Sequence, residues 1–219
     1  GSMIQQLSER SYSAKIKAIN QLAETGDDRV VAILEAYMSR KLYRTKSDKR
    51  VVMATGSGSK FHLTDPLSGK HLSSLKKSDV KKLRLNNRMR RVIRAALGGL
   101  TLSSKDPLKR IAAAKSVFKT PKTAQIAILK KAVASEADED VKSQFSRALA
   151  AAELTHGKTP EIRIAAIHSL GEYTDRDVVA RLRGLMNKDS SGKFREPNDN
   201  IRAAAQSAIS DIEEEIIIW

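Results

Sequence analysis

Residues with catalytic or metal-binding potential are few and scattered in this 219-residue chain. Nucleophilic catalysis needs a nucleophile beside a base, and a structural zinc site needs Cys or His ligands at close spacing. The chain has no Cys, and none of its four His is spaced with a carboxylate or a second His as metal ligands are: His62, His71, His156 and His168. The sequence therefore predicts a protein that is not an enzyme and holds neither a metal nor a cofactor.

Positive charge is the strongest chemical signal, and it is concentrated in one third of the chain. The chain carries 40 Lys and Arg against 25 Asp and Glu, a net charge of +15, and 41–110 alone holds 19 basic and 4 acidic residues. Such asymmetry is typical of a contact with nucleic acid or another anionic surface; the alternative is a solvated face with no partner. Only Tyr43 and Phe61 are aromatic in 41–110, so base stacking is weakly supported.

A recurring helical pattern predicts the elements that position this charge. A basic residue is followed by a small or apolar residue three positions later and an apolar residue seven positions later, offsets that share one helical face. The pattern begins at Lys15, Arg110, Lys142, Arg163 and Arg202. Alternating short helices predict an all-α fold: an irregular HEAT-like α-solenoid of helical hairpins with a small β-hairpin insertion. A helical bundle without repeat symmetry is the alternative.

The predicted organisation has three segments within one continuous domain. Residues 4–41 form a first HEAT-like hairpin, 42–77 form a β-hairpin and turn insertion, and 78–219 form a basic helix and further HEAT-like repeats. Residues 140–155 read as one longer helix. No stretch is apolar enough to cross a bilayer, so the sequence predicts a soluble domain.

The insertion is the most informative region for function, because helix stacking does not require it. Its β-forming runs are separated by Ser-Asp-Lys and Gly-Ser-Gly-Ser turns, and Asp65-Pro66-Leu67-Ser68-Gly69 is a further turn signal. A basic helix is predicted next, with Ser78 as its cap and Leu97 near its end. The predicted strands cover 43–46, 50–54 and 60–63.

Several segments, in order along almost the whole chain, resemble one family. They include SAKIKAINQLAETGDDRVVAILEAYM, the KLYRTKSDKRVV hairpin, HLTDPLSGK, NNRMRRVIRAALGGL and DSSGKFREPNDNIRAAAQSAI. Together they look like the N-terminal extracytoplasmic HEAT-like domain of the urea ABC transporter permease, a branched-chain-amino-acid-type permease. The hairpin followed by LTDP-x-(S/T)-G and NNR-x-RR carries most of the likeness. The closing IEEEIIIW resembles the exit towards a first transmembrane helix.

The resemblance implies a periplasmic accessory domain that docks protein partners. The expected partner is the periplasmic urea-binding protein, with the remaining permease and the ATPase subunits present in the full transporter and the membrane reached through a C-terminal transmembrane part. It implies a location on the periplasmic face of the bacterial inner membrane. The candidate partner-binding residues are Tyr43, Arg44, Asp65, Asn87, Arg88, Arg90 and Arg91.

Two other functions stay open from the sequence. The basic segment 41–110 is compatible with a helical-repeat nucleic-acid-binding protein, for example one that resembles HEAT-like DNA glycosylases, although the sparse aromatic residues argue against it. A small ligand such as urea, bound directly in a groove, is the third. For Asp65 and the Asn86-Asn87 pair, a purely local role in a turn or a helix cap is the competing interpretation.

Overall fold

The chain divides between Lys105 and Asp106 into two units. The computed structural model describes residues 2–56 and 58–218, so Trp219 of the IEEEIIIW segment lies outside the described residues. Within those residues, no helix is both long enough and apolar enough to span a membrane.

The first unit contains helices α1 (Ser2–Gln5), α2 (Tyr12–Glu24), α3 (Asp28–Met38) and α4 (Asn87–Leu102). Side-chain caps set where the longer helices begin, since the side chains of Ser11, Asp27 and Asn86 each accept a backbone N–H of the first turn. Helices α2 and α3 both pack on α4. Their shared core includes the buried side chains of Ile19, Ile33, Met89 and Ile93.

A five-stranded antiparallel sheet completes the first unit, with strand order β4-β3-β2-β1-β5. Alternation along each strand gives it two apolar faces. Leu42 and Val51 join the helical core, while four residues form a second, smaller cluster without any helix residue: Val52, Ala54, Leu63 and Val80. The strands are β1 (Leu42–Thr45), β2 (Val51–Thr55), β3 (Lys60–Thr64), β4 (His71–Lys76) and β5 (Val80–Lys82).

The second unit is built from helices packed around α7 (Glu139–His156). Helix α7 contacts α5 (Pro107–Lys119), α6 (Gln125–Ser135) and α8 (Pro160–Gly171). It is buried on several sides because small residues, including Ala148, Ala150, Ala151 and Ala152, let neighbouring helices approach closely. Helix α10 (Asp199–Ile218) then packs on α8 and on α9 (Arg176–Arg183).

The predicted all-α fold, an α-solenoid with a small hairpin, is wrong. The chain combines helices with a five-stranded antiparallel sheet, so it is a mixed α/β protein. The three predicted strands are present as β1, β2 and β3 within a residue or two at each end, and the Asp65–Gly69 turn is confirmed by the 2.8 Å bond from the Gly69 N–H to the Asp65 carbonyl oxygen. The long helix predicted over 140–155 is confirmed as α7.

Two strands were missed, and one predicted helix began too early. Strand β4 contains Ser73 and Ser74, which have low strand propensity. The predicted helix from Ser78 begins only at Asn87, because 77–79 form a 3₁₀ turn and 80–82 form β5. Val80 and Leu83, three residues apart, looked like one helical stripe, yet they enter the two different apolar clusters on opposite sides of the sheet.

Candidate functional site

The predicted partner-binding residues all lie in the first unit, but the structure places them in separate groups. Tyr43 and Arg44 are neighbours on β1 and therefore point to opposite faces of the sheet. Asp65 lies in the turn between β3 and β4. Asn87, Arg88, Arg90 and Arg91 occupy the first turns of α4.

Tyr43 belongs to a half-buried aromatic pair on the sheet. Its ring and that of Phe61 are 5.1 Å apart between centroids and tilted by 57°, a favourable edge-on arrangement. Both rings pack with Leu72 and Leu75 against the small cluster that includes Val52. The register places both rings on one face of the sheet, because Tyr43 pairs with Val52 and Phe61 lies two residues before Leu63, which pairs with Ala54 on that face.

Two lysines flank these rings and complete a surface that we call the aromatic face: Tyr43, Phe61, Leu72, Leu75, Lys77 and Lys82. The Lys77 Nζ lies 5.1 Å from the Phe61 centroid, and the Lys82 Nζ lies 5.5 Å from the Tyr43 centroid. Both lysines are exposed, and neither forms an ion pair within the described part of the chain. Cation–π attraction therefore holds two ammonium groups beside the rings without neutralising them.

Asp65 is engaged in its own turn. Its Oδ1 accepts the N–H groups of Leu67 at 3.0 Å and Ser68 at 2.9 Å, and its Oδ2 lies 3.2 Å from an Arg50 guanidinium nitrogen. The Ser68 amide is the main cause that lowers the pKa of this carboxyl, aided by the Ser68 hydroxyl and by Arg50. This geometry gives Asp65 the local turn-forming role weighed as its alternative.

The start of α4 presents a cluster of guanidinium groups. Asn86 caps the helix through a 2.8 Å bond to the Met89 N–H, and the first turn contains no acidic residue. Arg88 and Arg91 are exposed three residues apart on one face, and Arg94 continues it. None of these arginines, nor the half-buried Arg90, has an ion-pair partner among residues 2–56 and 58–218. The N-terminal end of the helix dipole is positive and repels these cations, so the surface formed by Arg88, Arg90, Arg91 and Arg94 favours contact with an anion. We call this surface the arginine patch.

Several residues of these surfaces were not found from the sequence. In the sequence, Phe61 stands out only as one of two aromatic residues in 41–110, and Lys77 and Lys82 only as part of the basic charge of that segment. Their meeting with Tyr43 depends on strand register, in particular the pairing of Tyr43 with Lys82, which no local pattern specifies. Across the described residues, no group of three or more His, Cys, Asp or Glu is arranged to hold a metal ion.

Comparison with known proteins adds no relative. No model of a known protein family matches the chain, and no curated protein matches it.

Proposed function

We propose that this chain is a periplasmic interaction module of a urea ABC transporter permease and that it docks the periplasmic urea-binding protein. The resemblance of the ordered segments to that family supplies the identity of the partner. The observation that carries a docking role is the aromatic face, where two half-buried rings and two unpaired ammonium groups lie together.

The chemistry of the aromatic face favours an acidic protein surface with an apolar centre. Tyrosine buries a large area on binding at a small cost in side-chain entropy, and aromatic residues are enriched where binding energy is concentrated. Carboxylates opposite Lys77 and Lys82 would meet two cations that have no internal partner. Such complementarity raises the association rate and makes it dependent on salt. The arginine patch on α4 is a second region with the same preference.

The direct test is a titration of the cognate urea-binding protein over the immobilised chain, with and without urea, at low and at physiological salt. Saturable binding that weakens with salt is expected. Tyr43→Ala is expected to weaken it by about tenfold or more, as for a central aromatic contact. Tyr12→Ala is the matched control, because Tyr12 is exposed on α2 and lies outside the aromatic face.

Two outcomes would revise this proposal in different ways. No saturable binding up to high micromolar concentration would overturn docking by this chain. Binding and urea uptake that survive charge reversal at both Arg90 and Arg91 would remove the arginine patch from the interface and leave the aromatic face as its centre. If the affinity depends on urea, the docking surface distinguishes the urea-loaded binding protein from the urea-free one.

A second function, binding of single-stranded nucleic acid, is favoured by one observation. The fold brings together Tyr43, Phe61 and two lysines, the combination on which bases stack beside phosphates. Fluorescence anisotropy with a labelled oligonucleotide tests it. Affinity that falls steeply with salt and is lost in Phe61→Ala would support it, whereas affinity that does not depend on salt would contradict phosphate contacts.

A further inference from the structure

Six of the nine residues that line a cavity of about 330 Å³ in the first unit are cations. It lies where the start of α2 faces β1 and the chain that follows β5. Glu9 is the one carboxylate among its lining residues, and it forms no ion pair within the described residues. The cationic residues of the lining are Arg10, Lys15, Arg44, Lys81, Lys82 and Arg84.

Lys15 is the unusual member of this set. It is only 3% exposed, and its side chain has no hydrogen-bond or ion-pair partner among the described residues. Burial lowers the pKa of its ammonium group, and the charges of Arg44 and Arg84 lower it further. The group also lies in the first turn of α2, where the helix dipole is positive. A buried, unpaired charge in such a field is costly unless an anion joins it.

The other helices that begin in the same way show what this position contacts. In six helices the fourth residue is a cation whose backbone N–H bonds to the carbonyl oxygen of the residue before the helix: Lys15, Arg90, Arg110, Lys142, Arg163 and Arg202. In the first unit, Arg90 has no ion-pair partner among the described residues either, but it is only half-buried. In the second unit these side chains find an oxygen of the protein. The Arg110 Nε lies 2.8 Å from the Glu136 Oε2, and the Arg163 Nη2 lies 2.5 Å from the Glu196 Oε2. Arg202 donates to the Glu196 carbonyl oxygen at 2.5 Å, and Lys142 lies 3.8 Å from Glu139.

Lys15 thus occupies the same helical position with a cavity in place of the acidic partner. The Lys15 side chain is almost completely buried and lines the cavity, so its ammonium group meets water or an anion only through the cavity. The nearest replacement for the missing carboxylate is an oxyanion that enters the cavity.

We propose that this cavity binds a phosphate group, contacted by Lys15, Arg44 and Arg84. A phosphate has several acceptor oxygens and up to two negative charges, which suits two guanidinium groups and a buried ammonium better than a single carboxylate does. The volume is at the small end of ligand pockets and holds a phosphate with little attached to it. This site lies apart from the aromatic face except for Lys82, and it does not depend on the proposed docking function.

Calorimetric titration of the whole chain with inorganic phosphate and with pyrophosphate tests the site at constant ionic strength. One saturable site is expected, with a raised melting temperature when it is filled. Lys15→Met is expected to lower the affinity at least tenfold while leaving the melting temperature of the ligand-free protein unchanged or higher. Lys17→Met, an exposed lysine on the same helix outside the cavity, is the matched control and should bind as the parent does.

A second variant keeps the proposal testable if Lys15→Met does not fold. Arg84→Gln changes an exposed residue of the lining and should also weaken phosphate binding. Equal affinity in both variants and the parent, or no saturable binding of either anion, would overturn the site. These measurements contain no urea-binding protein, so their failure leaves the docking proposal unaffected.

Binding to lipid vesicles distinguishes a lipid headgroup from a free phosphorylated compound as the source of the phosphate group. Phosphatidylglycerol vesicles that bind the parent chain, lose binding in Lys15→Met and are displaced by pyrophosphate would identify a lipid headgroup. Binding of the soluble anions alone, with no such vesicle binding, would identify a free phosphorylated compound. Vesicle binding that Lys15→Met retains, together with no binding of soluble anions, would assign the basic charge to a general surface contact and overturn the cavity site.

Discussion

Each unit contains aromatic rings in contact with cations, and the two clusters differ in whether those cations have partners inside the fold. In the second unit, Phe118 lies between the guanidinium groups of Arg147, 3.5 Å from the ring centroid, and Arg181, at 4.7 Å. In the first unit, the aromatic pair of Tyr43 and Phe61 lies beside two lysines. The chemistry is similar, but the surroundings are not.

The difference lies in what else each cation contacts. Arg147 is buried and paired with Asp175, and Arg181 donates to the carbonyl oxygens of Phe118 and Lys119. Lys77 and Lys82 are exposed and have no acidic partner among the described residues. A buried cation that meets a carboxylate or carbonyl oxygens inside the fold belongs to the fold's own interactions, whereas an exposed cation without such a partner stays available to an external anion.

The net charges of the two units differ in the same direction. Residues 1–105 contain 22 Lys and Arg against 8 Asp and Glu, whereas residues 106–219 contain 18 against 17. The second unit has nearly as many carboxylates as cations, and at least seven of its cations form ion pairs within it, whereas the first unit has too few carboxylates to neutralise its cations. We expect mutations in the paired clusters to change stability and mutations in the unpaired ones to change binding.

The largest expected effect separates the two aromatic clusters directly. Phe118→Ala should lower the free energy of unfolding of the second unit by about 3–5 kcal/mol, because the ring is 5% exposed and its removal leaves a cavity between two guanidinium groups. Phe61→Ala, at a half-buried ring, should cost about 1 kcal/mol in the first unit. Urea unfolding, with hydrogen exchange to assign the loss to a unit, measures both. Equal losses of unfolding free energy in the two variants would contradict the difference between the two aromatic clusters.

The next effect tests the counter-charge itself. Asp175→Asn keeps a side-chain oxygen to accept the Asp177 N–H that caps α9, but it leaves Arg147 buried without its anion. The free energy of unfolding should fall by about 2–3 kcal/mol, less than for a fully buried pair because Asp175 is partly exposed. In an Arg147→Met background the same change should cost little. A full cost in that background would show that the ion pair is not the cause.

Local signals in the sequence predicted the parts of the fold that depend on neighbouring residues. Asp106 and Thr159 cap α5 and α8, each followed by proline at the first helical position, a local pattern that is typical of a helix start. The turn at Asp65 follows from its own proline and glycine. Strand β5 could not be predicted in this way, because Val80–Lys82 is three residues long and depends on pairing with β1.

The candidate sites were predictable as a region but not as contacts. The charge distribution locates the basic third, and Tyr43 and Arg44 are among the predicted partner-binding residues. The pairing of Lys82 with Tyr43 depends on register between distant strands. Lys15 was predicted correctly to share a helical face with Ala18 and Leu22, both buried. That it lacks the oxygen partner found by Arg110 and Arg163 is a property of packing, which the shared pattern does not reveal.

A smaller effect concerns the buried lysine and its dependence on pH. Lys15→Met should raise the free energy of unfolding by about 1 kcal/mol at neutral pH, because it removes an unpaired buried charge. The folded-state pKa of Lys15 lies below the ordinary value of 10.5, so in that interval the unfolded chain binds more protons and the parent gains stability as pH rises. The excess free energy of unfolding of Lys15→Met over the parent is therefore largest below the lowered pKa, and it shrinks as the pH rises towards 10.5. Urea unfolding of both proteins across this range measures it, and a difference that grows with pH would contradict the sign.

The smallest effect on stability is expected where the effect on binding should be largest. Replacing both Lys77 and Lys82 by Gln removes two exposed charges that have no acidic partner in the described chain, so the free energy of unfolding should change by no more than about 0.5 kcal/mol. The lost cation–π attraction and the relieved repulsion act in opposite directions. Binding of an acidic partner to the aromatic face should nevertheless weaken about tenfold at low salt and less at high salt. A loss of stability as large as that of Asp175→Asn would mean that these lysines hold the sheet together, and the distinction between paired and unpaired cations would then no longer separate stability from binding.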